Sequence, residues 1–144
     1  MVNKKDASIL SELRKNSRQT LVNISKNTKI PVSTVYDRIK LNEKDTIKKH
    51  TSILDFPKLG YNIRAHIIIS AEEKKDLEEF LLKNNNVNSA FKLSNYAFSI
   101  DCIFKYMSEM EEFIELLEQF KITSKNIYLI SDELKREEFL INMN

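Results

Sequence analysis

The sequence predicts a two-domain α+β protein, in which an N-terminal winged helix-turn-helix is followed by a C-terminal ferredoxin-like βαββαβ domain. Three observations predict this fold class. Residues 1–52 have the apolar spacing of three short amphipathic helices. Residues 62–144 alternate strand-like and helix-like segments in the order βαββαβ. Residues 53–61 contain Gly60, the only glycine among the 144 residues, so we expect a hinge there.

Each helix of the first half is predicted by its start signal and its apolar spacing. We expect Asp6 to cap or open the first helix and Thr20 to N-cap the second. The third helix is predicted from about residue 32 to about residue 42. A strand or hairpin, the wing, is predicted in the β-branched segment TIKKHTSIL, residues 46–54. The side chains predicted to face the core are Ile9, Leu10, Leu13, Leu21, Val22, Ile24, Val32, Val35 and Ile39.

The outward face of the third helix is polar, and only Asp37 on it is acidic. Hydroxyl groups and long cations are the groups that contact phosphates and base edges. A merely solvated helix would more often alternate Glu with Lys. The pattern therefore favours a DNA-reading helix, and a plain helical bundle is the alternative. The side chains on this face are Ser33, Thr34, Tyr36, Arg38 and Lys40.

Charge is distributed unevenly along the chain, although the net charge is only +2. Residues 1–52 carry 12 Lys and Arg against 5 Asp and Glu, a net charge of +7. Residues 53–144 carry 11 against 16, a net charge of −5. The basic third favours a polyanionic partner for this part of the chain. Two alternatives are a random scatter of charge and an interaction module that does not bind DNA.

The second half predicts an antiparallel sheet with two helices on one of its faces. The predicted strands read NIRAHIIIS, VNSAFKLS, YAFSIDCIF and NIYLISDEL, and the predicted helices read EEKKDLEEFLLKNN and SEMEEFIELLEQF. Such a sheet leaves its other face uncovered. We therefore expect this domain to bury that face or an edge against a second copy of the chain, which makes it a dimerisation domain.

Three stretches resemble the Lrp/AsnC (feast/famine) family of bacterial and archaeal transcription regulators, and the resemblance extends over nearly the whole chain. DASILSELRKNSRQT resembles the family's opening helix and the Arg-x-Ser/Thr that starts its second helix. VSTVYDRIK resembles its recognition helix. ILDFPKLGYN resembles its hinge, with Leu54, Asp55, Lys58, Leu59, Gly60 and Tyr61 at the typical positions.

The resemblance implies a sequence-specific DNA-binding transcription regulator. Such a protein binds operators as a dimer, tetramer or octamer, with its third helix in the major groove of double-stranded DNA. The basic side chains after that helix would lie on the wing and extend the contact with phosphates. The residues that the resemblance places at the DNA are Arg18, Thr20, Ser33, Thr34, Tyr36, Arg38, Lys40, Lys48 and Lys49.

The family's C-terminal domain often binds an amino acid at a loop that usually reads Thr-Gly-x-x-Asp. This chain has LSNYAFSI there, so that Ala97 stands at the acidic position. An ammonium group would lose one obvious carboxylate partner at Ala97. The resemblance nevertheless implies a small-molecule effector site at Ser94, Asn95 and Tyr96, with the identity of the effector open.

An enzyme on the same scaffold, similar to haem-pathway decarboxylases that use histidines near the domain interface, is the alternative function. His50 and His66 are the only histidines, and neither has a Cys or carboxylate at ligand spacing. The single cysteine, Cys102, alternates with apolar residues, which predicts a core position. We expect no catalytic residue, metal or cofactor. The lack of a long apolar run and of a secretory signal predicts a cytoplasmic protein with no membrane partner.

Overall fold

The computed structural model describes residues 2–142, which divide into two compact units. The first unit is the chain up to Ile53 together with the segment from Leu134 onward. The second unit is Leu54–Glu133. Across residues 2–142, every helix is too short or too polar to span a bilayer.

Three helices of the first unit pack around a small apolar core. Ile9, Ile24 and Val35 are its fully buried side chains, and Ile30 adds to them from the turn before the third helix. The apolar spacing on the three helices therefore identified the centre of this core correctly. The helices are α1 (Lys4–Lys15), α2 (Leu21–Thr28) and α3 (Val32–Asp45).

The starts of α1 and α2 differ in how well the sequence predicted them. Thr20 caps α2 as expected, because its Oγ1 accepts a hydrogen bond from the backbone N–H of Asn23 at 3.1 Å. Asp6 does not cap α1, so that part of its prediction was wrong. Asn3 caps α1 instead, since its Oδ1 accepts from the backbone N–H of Asp6 at 2.8 Å. Asp6 lies inside the first turn, three residues before Ile9, so its carboxylate lies on the buried side of the helix.

Two of the predicted core side chains, Val22 and Val32, are exposed at 53% and 40%. Val22 lies two positions before Ile24, which puts it about 200° around the helix from that buried side chain. Val32 is the first residue of α3 and lies at the edge of the core, three residues before the buried Val35. The helix itself continues to Asp45, three residues past the predicted end near residue 42.

The segment from Leu134 onward, which sequence analysis placed in the C-terminal domain, contacts α1. Ser11 Oγ donates to the carbonyl of Ile141 at 3.2 Å. Arg14 Nε donates to the carbonyl of Phe139 at 3.0 Å, and its Nη1 lies 3.2 Å from the carboxylate of Glu137. Two of these acceptors are backbone carbonyls, which every sequence provides, so the composition of the segment carried no signal of where it docks.

We expect truncation after Glu133 to destabilise the three-helix unit by about 1 kcal/mol, because the hydrogen bonds to Ser11 and Arg14 are lost. The NMR methyl signals of Ile9 and Ile24, followed through a urea titration, would report the stability of this unit alone. Arg14→Gln should reproduce part of the loss, whereas Arg18→Gln should not. Equal urea midpoints for the truncated and full-length chains would contradict the prediction.

The second unit has the predicted ferredoxin-like topology. Its four strands form one antiparallel sheet in the order β2-β3-β1-β4. A 3-10 turn, Pro57–Leu59, precedes the first strand, and another, Glu118–Phe120, follows the last helix. The elements are β1 (Ile63–Ala71), α4 (Lys74–Lys83), β2 (Val87–Lys92), β3 (Phe98–Phe104), α5 (Met107–Leu117) and β4 (Ile122–Leu129).

The sheet has one apolar face under α4 and α5 and an opposite face that neither of these two helices covers. Ile67, Ile69 and Ile100 are fully buried on the helix side together with Cys102, which confirms the core position predicted for the cysteine. His66 lies on the opposite face, as predicted from its place between two inward residues. We call this uncovered side the open face. Its residues are Arg64, His66, Ile68 and Ser70 of β1, Ser89 and Phe91 of β2, Ser99, Asp101 and Ile103 of β3, and Ser124, Asn126 and Tyr128 of β4.

The connection between the helices and the sheet differs from the prediction in one respect. Residues 46–54 contain no strand, so the predicted wing strand or hairpin was wrong. Their β-branched residues favour extended backbone, but a strand also needs a neighbouring strand, and none within residues 2–142 pairs with them.

Gly60, in the predicted hinge, has φ +88°, a left-handed conformation that favours glycine, and its N–H donates to the carbonyl of Pro57 at 2.9 Å. Its role as a hinge stays a prediction.

Candidate nucleic-acid interface

Helix α3 presents the polar face that the sequence predicted. Ser33 and Tyr36 are exposed, with Tyr36 at 51%, and Thr34 is half-buried beside them. The helix begins after Pro31, whose side chain makes no capping hydrogen bond. The turn before it passes through Lys29, whose φ of +58° is the left-handed conformation for which glycine is common at this turn.

Lys40 shares this face and is held only by weak contacts. Its Nζ lies 5.8 Å from the ring centroid of Tyr36 and 3.5 Å from the carboxylate of Glu43. Exposed ion pairs of this kind contribute about 0–1 kcal/mol, so a phosphate could replace Glu43 at small cost. Ser33, Thr34, Tyr36 and Lys40 are thus brought together on one helix.

Arg38, on the same helix, is engaged within the protein. Its Nε donates to Asp6 Oδ1 at 2.6 Å, and its Nη2 donates to the other carboxylate oxygen. The hydrogen bond from Arg38 lowers the pKa of Asp6, against the opposing effect of burial. Asp6 is buried, so the pair links the first turn of α1 to the middle of α3. The sequence did not predict this pair, because the two residues lie 32 positions apart on different helices.

Glu12 forms a second polar connection in this unit, between α1 and α2. The sequence did not predict it. The carboxylate of Glu12 accepts from Lys15 Nζ and from Asn27 Nδ2, each at 2.9 Å. Its carbonyl accepts from Gln19 Nε2 at 2.7 Å. The hydrogen bonds from Lys15 and Asn27 lower the pKa of Glu12 despite its burial. Glu12 therefore fixes the angle between the two helices that precede α3.

The lowered pKa values of Asp6 and Glu12 predict that acid will destabilise the three-helix unit. A carboxyl group with a lowered folded-state pKa contributes stability that is fully present above its ordinary pKa, here 3.8 and 4.5. That contribution is lost as the pH falls through the folded-state value. Urea titrations at pH 6 and pH 3, followed by the Ile24 methyl signal, would measure the loss. An Asp6→Asn/Glu12→Gln double variant should be less stable at pH 6 and lose less on acidification.

The other predicted DNA contacts lie outside α3. Arg18 is exposed in the turn between α1 and α2, where its backbone N–H donates to Asn16 Oδ1 at 3.0 Å. Thr20 follows it, with its hydroxyl oxygen used in the α2 cap. Lys48 and Lys49 are exposed in the segment after α3. All four residues are exposed, and their contact with DNA stays a prediction.

The predicted effector residues form a tight turn between β2 and β3. Tyr96 has φ +65°, and its N–H donates to the carbonyl of Leu93 at 3.0 Å. A cleft of about 420 Å³ opens beside the turn. Its lining includes Glu72, Lys74, Asn95 and Tyr96 but not Ser94, and Lys74 Nζ lies 5.1 Å from the Tyr96 ring centroid. Ala97, at the position where the family has an acid, is buried.

The open face carries a paired set of charges rather than isolated ones. Arg64 donates through two nitrogens to the two carboxylate oxygens of Asp101, each at 2.8 Å, and its third nitrogen lies 2.8 Å from Glu133. Burial raises the pKa of Asp101, but the hydrogen bonds from Arg64 and Asn88 outweigh it and leave that pKa below its ordinary value. Because Arg64 and Asp101 are already paired, another protein surface can cover this face without burying an unpaired charge.

The two histidines of the enzyme alternative have different neighbours. His66 Nε2 is 3.1 Å from Ser99 Oγ on the open face, and His50 Nε2 is 3.6 Å from the carboxylate of Glu43 after α3. Within residues 2–142, no group of three or more His, Cys, Asp or Glu side chains is placed to hold a metal ion.

Comparisons with known proteins agree with the predicted helix-turn-helix in the first part of the chain. A family described as winged helix-turn-helix DNA-binding matches residues 2–41. HTH-type transcriptional regulator FL11 of Pyrococcus furiosus is 30% identical over 116 residues, which cover 78% of this chain and 77% of that protein. Regulatory protein AsnC of Haemophilus influenzae is 27% identical, covering 96% of this chain and 89% of that protein.

Solved structures show the same fold. A transcriptional regulator from Neisseria meningitidis, solved as a complex with L-Met, has a TM-score of 0.84 at 22% identity and covers 94% of both chains. LrpC of B. subtilis has a TM-score of 0.81 at 18% identity, covering 94% of this chain and 98% of that one. The identity to FL11 over most of both sequences, the helix-turn-helix match and the geometry of α3 agree. The chain belongs to the Lrp/AsnC family of helix-turn-helix transcriptional regulators.

Proposed function

We propose that the protein binds operator DNA sequence-specifically, with α3 in the major groove and with two or more copies on each operator. The observation that carries this proposal is the exposed face of α3, where Ser33, Thr34, Tyr36 and Lys40 stand together. Short hydroxyl side chains can approach base edges closely, and Tyr36 and Lys40 can reach the flanking phosphates. The net charge of +7 on residues 1–52 supplies the long-range attraction to DNA.

Phosphate contacts would come from three further places in the same unit. Arg18 lies in the turn before α2, and the hydroxyl of Thr20 can still donate its proton while its oxygen caps the helix. Lys48 and Lys49 extend from the segment after α3. The uncapped first turn of α3 offers backbone N–H groups to a phosphate oxygen.

We propose that the open face of the sheet pairs two copies of the chain. Phe91 is 62% exposed and Tyr128 55% exposed on this face, and Ile68 lies near its centre. The ion pair between Arg64 and Asp101 can be covered because both members are already hydrogen-bonded. A dimer would present two α3 helices to a two-part operator, so the second engagement becomes intramolecular.

We place a small-molecule effector in the cleft beside the turn of Ser94, Asn95 and Tyr96. Glu72 and Lys74 line this cleft with opposite charges, which suits a ligand that carries both an ammonium and a carboxylate. Glu72 would then stand in for the acid that is missing at Ala97. A thermal-shift screen of the free amino acids, with Glu72→Gln as the matched variant, would test this site. Equal binding by the wild type and by Glu72→Gln would show that Glu72 is not part of the effector site.

The proposed DNA binding predicts a steep salt dependence. Selection of bound sequences from a random duplex pool would supply the operator, and the logarithm of its affinity should fall by about 0.9 per phosphate contact for each unit of log salt concentration. Lys48→Ala/Lys49→Ala should reduce this slope by about 0.9 for each contact removed. Lys75→Ala/Lys83→Ala, which removes two exposed lysines of α4, is the matched control and should leave the slope unchanged. An affinity independent of salt would overturn the proposed function.

A further inference from the structure

We propose that Arg38 is a positioning residue whose bond to Asp6 sets the angle at which α3 meets DNA, and that it is not itself a contact to the DNA. The inference rests on the proposed function and deepens it for one side chain of the recognition helix. It departs from the position-by-position resemblance, which places Arg38 among the DNA contacts.

The geometry commits the guanidinium to the protein. A guanidinium is planar and matches a carboxylate with two parallel hydrogen bonds, and Arg38 makes both of them to Asp6. Asp6 is only 5% exposed, so it has little water to replace Arg38 if the arginine leaves. A DNA contact by Arg38 would strand a buried carboxylate, which is unfavourable.

The pair also continues along α3 to the segment that follows it. Asn42 Nδ2 donates to the carbonyl of Arg38 at 2.8 Å, and Asn42 itself is buried. The carbonyl of Asn42 accepts from the N–H groups of Thr46 and Ile47, at 2.8 Å and 2.7 Å. Asp6, Arg38 and Asn42 therefore connect the first turn of α1 to the end of α3, just before Lys48. Loosening the first link should move both the recognition face and the lysines behind it.

Removing the charge of Asp6 separates the two roles by the sign of the effect. If Arg38 contacts DNA, Asp6→Asn deletes a negative charge and frees the arginine, so affinity should rise. If Arg38 positions α3, the same change loosens the helix and affinity should fall. Asp45→Asn is the matched control, because Asp45 is an exposed acid at the end of the same helix, outside the proposed DNA contacts. Its removal should leave affinity equal or slightly higher.

The experiment measures DNA affinity, salt slope and selected bases for the full-length wild type, Asp6→Asn, Arg38→Lys, Arg38→Gln and the double variant Asp6→Asn/Arg38→Gln. Each is measured well below its unfolding temperature and corrected for the active fraction by stoichiometric titration. We expect each single variant to lose about tenfold in affinity and the double variant to lose no more. Wild-type salt slope and base preference should be kept. Arg38→Lys keeps the charge but not the two parallel bonds, so it should also weaken binding.

Three results would overturn the inference while leaving the proposed function intact. The first is tighter DNA binding by Asp6→Asn than by the wild type. The second is wild-type affinity in Arg38→Lys. The third is an Arg38→Gln protein whose salt slope falls by about one, or whose base preference is relaxed at one operator position. If the wild type selects no sequence from the pool, it is the proposed function that fails.

Discussion

Ile68→Asp will dissociate the protein into monomers and will lower its affinity for a two-part operator by roughly 10²–10⁴. Ile68 lies on the open face of the sheet, in register between Ser99 of β3 and Asn126 of β4. A carboxylate introduced there would have to be buried without a partner when two sheets meet, which costs several kcal/mol per ion. A monomer has a single α3. Two monomers would therefore each lose translational and rotational freedom on binding the two halves of the operator, whereas a dimer loses it once.

Analytical ultracentrifugation beside a DNA titration would measure both parts of this result. Leu82→Asp is the matched control, because Leu82 is 77% exposed on α4, away from the sheet. It should leave assembly and affinity unchanged. Phe91→Asp places the same charge at an exposed site of the open face and carries less risk to folding. An Ile68→Asp protein that stays dimeric and folded would show that the copies associate through another surface.

The sheet domain was predictable because its signal is local. Alternation along β1 and β3 brings Ile67, Ile69, Ile100 and Cys102 to one face, and a period of two is visible in any single strand. The spacing of Ile9 and Ile24 on their helices is local in the same way. The polar face of α3 could be recognised from one helix, and with it most of the candidate interface.

The features that were missed depend on residues far apart in the chain. Asp6 meets Arg38 across 32 positions, and no periodicity relates the two. The bond from Ser11 to Ile141 spans 130 positions and uses a backbone acceptor. The wing prediction failed for a related reason, since β-branched residues favour extended backbone but cannot supply a second strand. Short-range pattern therefore identified the exposed polar face of α3, but not the groups that hold that helix in place.

In Phe104→Ala the second unit will unfold at a much lower urea concentration than in the wild type, while the three-helix unit keeps its wild-type urea midpoint. Phe104 is fully buried in the sheet core, with its ring centroid 5.5 Å from that of Phe113. Truncating a buried phenylalanine costs about 3–5 kcal/mol, and a domain of this size has roughly 5–15 kcal/mol in total. The core of the first unit is made by other residues, Ile9, Ile24, Ile30 and Val35, so its stability does not depend on Phe104.

Cys102 reports this unfolding directly, because it is the single cysteine of the chain and lies two residues from Phe104. Burial raises its pKa to about 12, whereas an exposed thiol has a pKa of about 8.5. At pH 8 and a urea concentration between the two midpoints of the second unit, the wild-type thiol should be inert to a disulfide reagent, and the Phe104→Ala thiol should react. Phe139→Ala, which removes a ring that is 76% exposed, is the matched control and should leave Cys102 inert. Unchanged Ile9 and Ile24 methyl signals in Phe104→Ala would show that the first unit folds alone, whereas their collapse together with Cys102 exposure would show that the two units unfold as one.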